Sequence, residues 1–287
     1  MRQNPLRASG RTDSPLTWLT CYDYSLARVL EQTDLDMILV GDSGGMVVLG
    51  FPDTNPVSMD EMLTLCRAVR RGAPSKFLVG DMPKGSYEAS DRDAVKNAMK
   101  FVKYAGADAV KLEGGKNVVS RAAAITSAGI DVIGHIGLTP QSSGRFGGYR
   151  VVGRSDEERD LLVSDATCLR DAGVCGILLE ATPPMASQAV RQSVDLPILG
   201  IGAGPNLDGQ LMILHDLLGL YPDFRPRFAK CFVPDVIDEF VSSMGSDTSE
   251  EFRNDDGLAG IARLAVDRFL SDVKNGVFPS AAHTYRD

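Results

Sequence analysis

Short apolar runs that stop at glycine and polar residues recur along this chain. The clearest run is Met37–Val40, which is followed by Gly41 and the polar pair Asp42 and Ser43. A run of this length, closed by turn-forming residues, predicts a buried strand of a parallel sheet. The same pattern predicts strands that end near Asp23, Asp81, Glu113, His135, Glu180 and the glycines of residues 200–204. Because chemistry in parallel α/β folds collects beyond the carboxyl ends of strands, we expect these residues to share one rim.

The segments between the runs have the spacing of amphipathic helices. Ser58 and Glu61 have capping-box spacing, and the apolar stripe that follows them stops at Gly72. Ser155 and Glu158 predict a second capping box in the same way. Further helices are predicted over residues 24–33, 90–106, 117–128, 184–192, 206–218 and 258–275.

Strand and helix alternate through most of the chain, which favours a (β/α)8 TIM barrel over an open doubly wound sheet. Seven units are clear. The eighth strand is weak, and the pattern places it at residues 228–233. At 287 residues, the chain is long enough for one barrel, since such barrels run to about 250 residues.

The remaining segments define the domain organisation. Residues 1–15 are polar with two prolines and predict a flexible N-terminal arm. Residues 16–287 are predicted to form a single barrel domain, with an acidic excursion at 245–257. The segment 138–154, rich in Gly, Ser and Arg, is the candidate lid or substrate loop.

Composition excludes several classes of function. The chain has 30 Lys and Arg against 38 Asp and Glu, and no basic run interleaved with aromatics, so nucleic acid and anionic membrane are poor partners. No apolar stretch approaches the roughly 18 residues of a membrane span, and the start lacks a signal-peptide apolar region. The 5 cysteines are scattered among apolar residues, as expected for reduced thiols. We therefore expect a cytoplasmic protein.

Three acids are candidate metal ligands, because Asp42, Asp81 and Glu113 end the second, third and fourth predicted strands. Neighbouring strands lie about 4.8 Å apart, so these carboxylates are expected close enough to share an ion. Without a cation they would repel, and one would have to keep a proton. Oxygen donors without cysteine favour magnesium, with manganese or cobalt as substitutes. Each acid alone is equally well explained as a helix cap or an ion-pair partner, whereas three on successive strands favour the metal.

Several other residues have both a functional and a structural interpretation. Lys111 lies two residues before Glu113 and therefore on the same strand face. It could bind an anionic substrate or pair with Glu113. Glu180, at an apolar strand end, suits a general base but could cap the next helix. His135 could contact a ligand or be a satisfied core histidine, and His215 is interpreted as packing or a cap. The glycines at 200–204 lack GxGxxG spacing and favour close approach of a ligand or a tight turn.

Ten motifs together suggest a family. In chain order they are TCYDYSLA, GDSGGM, RRGAP, GDMP, VKLEGG, GHIGLTPQS, FGGYRVVGR, LLEA, PILGIGAG and HDLLGL. In this order they closely resemble the ketopantoate hydroxymethyltransferase family, also called 3-methyl-2-oxobutanoate hydroxymethyltransferase. The likeness covers roughly residues 16–232, and the closing FPSAAHTY resembles the family's tail. Ten motifs that occur in this order are highly specific for the family.

The resemblance implies a barrel of the phosphoenolpyruvate-binding superfamily type that depends on magnesium. It further implies transfer of a hydroxymethyl group from 5,10-methylenetetrahydrofolate to 3-methyl-2-oxobutanoate through a metal-stabilised enolate. The product is 2-dehydropantoate (ketopantoate), in pantothenate and coenzyme A biosynthesis. The partners implied are therefore a 2-oxo acid, a folate and further copies of the chain, since the family commonly assembles as a decamer.

Matching motif by motif assigns roles to individual residues. The implied metal ligands are Asp42, Asp81 and, directly or through water, Glu113. The implied substrate contacts are Asp42, Ser43, Asp81, Lys111 and, from the motif beside the site, His135. Glu180 is the implied proton acceptor, which would convert the chelated oxo acid to its enolate.

Three features depart from the family pattern. Gly44 stands where the family usually has a larger apolar residue, and Lys84 stands where an aromatic is usual. These changes could reshape the pocket or add a charge that prefers a more anionic substrate, while the excursion at 245–257 exceeds the usual length. The alternatives are a paralogue for a different 2-oxo acid, a metal-dependent oxo-acid lyase of the same superfamily, and a non-catalytic barrel. The cysteines, on helical stripes and at a strand start, count against the lyase.

Overall fold

The structure, a computed structural model, describes residues 3–7, 14–146, 148–244 and 257–286, without the side chains of residues 143, 145, 146 and 239–244. The strands are β1 Leu16–Thr20, β2 Met37–Val40, β3 Phe77–Asp81, β4 Ala109–Glu113, β5 Asp131–Gly137, β6 Gly176–Glu180, β7 Ile198–Ile201 and β8 Gly209–Met212. They pair in parallel and in sequence order, and β1 also pairs with β8, which closes the barrel. The predicted (β/α)8 architecture is therefore confirmed.

Helices alternate with the strands around the barrel. They are α1 Tyr24–Glu31, α2 Gly44–Val47, α3 Met59–Gly72, α4 Asp91–Ala105, α5 Val119–Ser127, α6 Asp156–Asp171, α7 Pro184–Ser193, α8 Leu214–Leu218, α9 Val233–Met244 and α10 Gly257–Lys274. Short 3-10 helices occupy Lys116–Val118, Pro140–Phe146 and Ala281–His283. None of these described helices has the length and apolar character needed to cross a membrane. Apart from Gly257, the predicted excursion at 245–257 lies outside the described residues.

Side chains along each strand alternate between two apolar layers, because successive strand residues point to opposite faces. In β4, Ala109 lies in the layer inside the barrel. Val110 and Leu112 lie in the layer between the barrel and its helices. The other β4 residues in the interior phase are Lys111 and Glu113, and both are buried. The alternation therefore directs two charged side chains toward the mouth of the barrel.

Helix caps largely follow the sequence pattern. At α3, Ser58 and Glu61 form the predicted capping box, in which each side chain accepts from the other's backbone N–H. At α6 only half of the second predicted box forms, because Ser155 accepts from the Glu158 N–H. Glu158 Oε2 instead accepts from the backbone N–H groups of the two residues before Ser155, at 2.8 and 3.0 Å. Glu158 thereby fixes the end of the loop that precedes α6.

The predicted position of the eighth strand is wrong. Residues 228–233, all of them described, form no strand, and β8 lies inside the predicted helix at 206–218. The apolar residues from Leu211 to Leu217 continue at helical spacing, so the local pattern favours one helix. Closure of the barrel instead requires an extended segment that hydrogen-bonds to both β7 and β1.

Three aspartates at the amino end of the barrel bind the backbone of a neighbouring strand. Asp36, Asp108 and Asp208 each directly precede a strand. Their carboxylates accept from a backbone N–H at the start of the adjacent strand, at 2.8, 2.9 and 2.9 Å. Asp108 and Asp208 also form ion pairs with Arg70 and Arg191. Sequence reasoning missed these acids, which hold pairs of strands together.

Part of the predicted flexible arm is held against the barrel. Leu6 is buried in the apolar layer inside the amino end of the barrel. Asn4 Nδ2 donates to the Asp131 carboxylate at 2.6 Å, and Arg7 forms an ion pair with the same carboxylate. The described residues of the arm, 3–7, therefore contact the amino end of the barrel, where the leucine side chain packs in its interior apolar layer.

Replacement of Asp108 by alanine tests the role of the amino-end aspartates. Asp108→Ala is expected to lower the free energy of unfolding by about 2–4 kcal/mol, because it removes a largely buried ion pair and leaves the Leu78 N–H without its acceptor. In the control, Asp171→Ala removes an exposed acid paired with Arg170 and should cost less than about 0.5 kcal/mol. Urea denaturation measures both, and equal losses would contradict the special role of Asp108.

Candidate active site

The residues proposed from the sequence converge at the carboxyl end of the barrel. A cleft of about 990 Å³, its open mouth included, lies over the strand ends. Its walls include all the proposed site residues: Asp42, Ser43, Asp81, Lys111, Glu113, His135 and Glu180.

Asp42 and Asp81 are neighbours across the ends of β2 and β3. The Asp42 backbone N–H donates to Asp81 Oδ2 at 3.1 Å, and both side chains are buried. Burial, with the nearby charges of Asp81 and Glu113, raises the pKa of Asp42 well above its usual value. Burial also raises the pKa of Asp81, although Lys111 opposes this effect. The Asp42 carboxyl group therefore holds its proton more tightly than an ordinary aspartic acid does.

Lys111 lies between two of the carboxylates. Its Nζ is 2.9 Å from Asp81 Oδ1 and 3.4 Å from Glu113 Oε1. The first contact follows from the sheet, whose register pairs Asp81 with Lys111. Burial acts to lower the pKa of Lys111, but the two carboxylates raise it above its usual value. Burial acts to raise the pKa of Glu113, but Lys111 and His135 lower it to about 2, so this acid is ionised.

His135 connects the acid cluster to Glu180. Its Nδ1 is 3.3 Å from Glu113 Oε1, and its Nε2 is 3.2 Å from Glu180 Oε2. Burial and Lys111, whose Nζ is 3.2 Å from Nδ1, lower the pKa of His135, but the two glutamates outweigh them and raise it to about 9. The ring is therefore an imidazolium at neutral pH, with each nitrogen at ion-pair distance from one glutamate.

Gln141, which sequence reasoning missed, joins the cluster to the loop above it. Its Nε2 donates to Asp42 Oδ2 at 2.8 Å and to the Met82 carbonyl at 3.0 Å. Its backbone N–H donates to Glu113 Oε2 at 3.1 Å, and its Oε1 accepts from the Tyr87 hydroxyl at 2.7 Å. The candidate lid or substrate loop therefore reaches the acids directly. Gln141 belongs to the motif GHIGLTPQS, but a single amide in a polar loop carries no spacing signal.

Neither substitution that departs from the family pattern lines the cleft. Gly44 lies in α2, where a Cβ would come 2.7 Å from the Tyr22 ring. Its missing side chain makes room for Tyr22, whose hydroxyl is 2.8 Å from Ser43 Oγ. Lys84 is 39% exposed and forms an ion pair with Glu88. Lys84 is therefore not among the side chains that line the cleft, and Gly44 bears on the cleft through its contact with Tyr22.

The glycine run and His215 have packing roles. Gly202 has a φ of +65°, and a Cβ there would lie 2.5 Å from the Phe228 ring. The close approach that the glycines at 200–204 permit is thus that of an aromatic side chain. His215 is buried against the Tyr22 ring, with ring centroids 5.3 Å apart, in agreement with the packing alternative.

The acid cluster has the chemistry of a site for a hard divalent cation. Four carboxylates face only two cationic side chains, and carboxylate oxygens are the donors that magnesium prefers. Asp81 Oδ1 is buried and accepts no well-aligned hydrogen bond. Within the described residues, however, no three His, Cys, Asp or Glu side chains are arranged to hold an ion. The structure brings Asp42, Asp81 and Glu113 into one cleft, and the Lys111 ammonium group lies between Asp81 and Glu113.

Comparison with known proteins identifies the family. The family model for ketopantoate hydroxymethyltransferase matches residues 1–281. The chain belongs to the ketopantoate hydroxymethyltransferase family. The 3-methyl-2-oxobutanoate hydroxymethyltransferase of Alkaliphilus metalliredigens is 43% identical over 275 residues, covering 96% of this chain and 89% of the relative. The protein of that name from Desulfotalea psychrophila is 43% identical over 280 residues, covering 98% of this chain and 91% of the relative.

Membership of the ketopantoate hydroxymethyltransferase family makes the chain an enzyme of the one-carbon transferase type.

Solved structures share its fold. Phosphonopyruvate hydrolase matches with a TM-score of 0.60 at 15% identity, covering 96% of this chain and 99% of that chain. The 2,3-dimethylmalate lyase of the PEP mutase/isocitrate lyase superfamily matches with a TM-score of 0.57 at 16% identity, covering 92% and 94%. These matches show the same barrel fold in proteins of low sequence identity.

Replacement of His135 by glutamine tests its charge. Because the folded-state pKa is raised from 6.5 to about 9, the imidazolium stabilises the fold below pH 6.5, and this stabilisation is lost as the pH rises through 9. In metal-free buffer, His135→Gln should cost about 3 kcal/mol at pH 6 and much less at pH 10. Denaturant unfolding across this range measures the difference. The control His283→Gln changes a half-buried histidine of the C-terminal 3-10 helix, and a constant cost for His135→Gln would contradict the charge assignment.

Proposed function

We propose that this hydroxymethyltransferase moves a one-carbon unit from 5,10-methylenetetrahydrofolate to 3-methyl-2-oxobutanoate and forms 2-dehydropantoate, a step toward pantothenate and coenzyme A. The names of the relatives support this acceptor. The observation that carries the proposal is the contact series Lys111, His135 and Glu180 in one cleft. It supplies a cation for an acid substrate and a carboxylate base beside it. The resemblance of the motifs supports the folate donor.

The substrate carboxylate requires a cationic partner, and Lys111 lies in the floor of the cleft. An ammonium group has three N–H donors. Two of them can stay with Asp81 and Glu113 while the third turns toward the substrate. Ser43 Oγ lines the same wall, where the Tyr22 hydroxyl fixes its position at 2.8 Å.

Glu180 is placed to accept the proton from the carbon next to the ketone. Its side chain is 15% exposed, toward the cleft, and His135 holds it at 3.2 Å. Ala181, the next residue, has a φ of 48°, a constrained turn that fixes the direction of the strand end. Loss of the proton leaves the enolate of the oxo acid. Water hydrolyses the methylene group of the donor, which breaks both C–N bonds and releases tetrahydrofolate and formaldehyde. The enolate carbon then attacks the formaldehyde carbon, and the formaldehyde oxygen takes the proton back from Glu180 to form the hydroxymethyl group.

Asp42 and Asp81 would hold the magnesium ion that the resemblance implies. Glu113 is already bound to Lys111 and His135, so it would contribute through water. When bound, the ion would withdraw electrons from the ketone and stabilise the negative charge that develops on the substrate. Asp42 would lose its proton on binding, because the added charge offsets the repulsion that raises its pKa.

The lyase alternative has no support in the cleft. Among the described residues that line it, none is a cysteine. Cys21, Cys66 and Cys175 are buried. Burial raises the pKa of each of these thiols to about 12, which keeps them in the unreactive protonated form.

Deuterium exchange tests the base. In buffered D2O with magnesium, the enzyme is expected to exchange the C3 proton of 3-methyl-2-oxobutanoate, and Glu180→Gln should slow this exchange by about 10²- to 10⁴-fold. The control Glu157→Gln changes an exposed acid in α6 and should exchange as the wild type does. Proton NMR measures the rate.

Two outcomes of this assay would contradict the proposal. Full exchange by Glu180→Gln would remove Glu180 as the base. Exchange and product formation with another 2-oxo acid, but not with 3-methyl-2-oxobutanoate, would show a paralogue with a different acceptor.

Magnesium binding should release a proton, because Asp42 must ionise to bind the ion. Affinity is therefore expected to rise with pH, and titration calorimetry in buffers of different ionisation enthalpy should show the proton. Asp81→Asn should weaken binding by more than about tenfold. The control Asp91→Asn changes an exposed acid and should leave affinity unchanged. Magnesium affinity that does not depend on pH would argue against Asp42 as a ligand.

A further inference from the structure

One wall of the cleft is unlike the acid cluster at its floor. It is built by the segment after β8 and by the C-terminal segment of the chain. The cleft-lining residues from these segments include Asp216, Tyr221, Phe224, Phe228 and Tyr285. This aromatic wall therefore places a single carboxylate among large rings, and the proposed base chemistry uses none of its members.

Asp216 is a buried acid without a partner. Its side chain lies in the first turn of α8 and is 3% exposed. Among the residues that the structure describes, none forms a hydrogen bond or an ion pair with its carboxylate. Burial raises the pKa of Asp216 to about 6, and the charge of Arg225 only partly opposes this. A buried acid without a hydrogen-bond donor lowers the stability of the fold. The position of Asp216 therefore indicates a ligand that donates hydrogen bonds to its carboxylate.

The rings of the wall leave a surface that a flat ligand can cover. Phe228 packs edge-on against Tyr285, with centroids 6.3 Å apart and planes at 73°. Phe224 is 53% exposed although it lines the cleft. Aromatic side chains that are exposed in a cleft in this way favour stacking with a ring of the ligand.

The aromatic wall also lies close to the proposed base. Burial, and then the charge of Glu180, raise the pKa of Tyr285. Burial and Glu180 likewise raise the pKa of Tyr149 to about 12. Both tyrosines line the cleft, so a ring bound on this wall would lie within reach of the carbon from which Glu180 takes a proton.

We propose that Asp216 and the aromatic wall bind a 2-amino-4-oxopyrimidine ring, the pterin of the folate donor. This inference rests on the proposed function. The pterin presents an N–H and an amino group side by side, which match the two oxygens of one carboxylate as a guanidinium does. The oxo acid cannot take this place, because its own carboxylate would be repelled by Asp216. The two substrates therefore occupy opposite parts of one cleft.

The test measures binding of tetrahydrofolate to the full-length enzyme with magnesium and 3-methyl-2-oxobutanoate, by anaerobic titration calorimetry at pH 8. Asp216→Asn is expected to weaken binding by about 10- to 100-fold, as for loss of a charged hydrogen-bond pair. The control Asp223→Asn removes a charge from the same segment outside the cleft and should bind as the wild type does. Phe224→Ala should also weaken binding, whereas Leu220→Ala, an exposed apolar neighbour, should not.

A tetrahydrofolate analogue without the 2-amino group makes the test specific. The wild type should lose affinity for this analogue, whereas Asp216→Asn should bind the analogue and tetrahydrofolate more equally. Asp216→Asn should unfold at no lower temperature than the wild type, because the unpartnered charge is gone, so weaker binding would not reflect misfolding.

The outcomes separate the two proposals. Equal tetrahydrofolate affinity of the wild type and Asp216→Asn would overturn the pterin site and leave the folate donor standing. Absence of tetrahydrofolate binding by the wild type would overturn the donor itself, and the pterin site with it.

Discussion

The burial of several like charges at the mouth of the barrel is the constraint on which the site depends. Two cations are each shared by two acids, since Lys111 contacts Asp81 and Glu113, and His135 contacts Glu113 and Glu180. This sharing offsets part of the cost of removing the charges from water. The uncompensated remainder appears in the raised pKa of Asp42. A region with this surplus of negative charge attracts a cation and keeps a base close to it.

Acids at the two ends of the barrel have opposite characters. At the amino end, Asp36, Asp108 and Asp208 accept backbone hydrogen bonds from neighbouring strands, so their charges are compensated locally. At the carboxyl end, the strand register brings together more acids than there are cationic side chains to pair with them. Stability and chemistry are thereby assigned to different ends of the same strands, as in other barrels of this architecture. A strand-end acid by itself indicates neither role until its end of the barrel is known.

Loop residues complete the cleft that the strand ends form. Gln141 joins Asp42 to Glu113 from above through its side chain and backbone. On the other side, the segment after β8 contributes Asp216 and aromatic rings to the same cleft. The polar floor suits a small anion with a cation, and the aromatic wall suits a flat ring. A cleft that binds both proposed substrates would hold them close together and orient them for reaction.

The sequence by itself determined seven of the strands, most of the helices and the rim of acids, because apolar runs, period and caps encode burial and local geometry. Only the tertiary structure decided where β8 lies, since its hydrogen bonds go to β7 and β1 and no local signal records a partner on both sides. It also decided that Lys111 separates Asp81 from Glu113, which depends on strand register. The contacts of Gln141 and the anchoring of Leu6 arise between residues distant in the chain, where spacing carries no information.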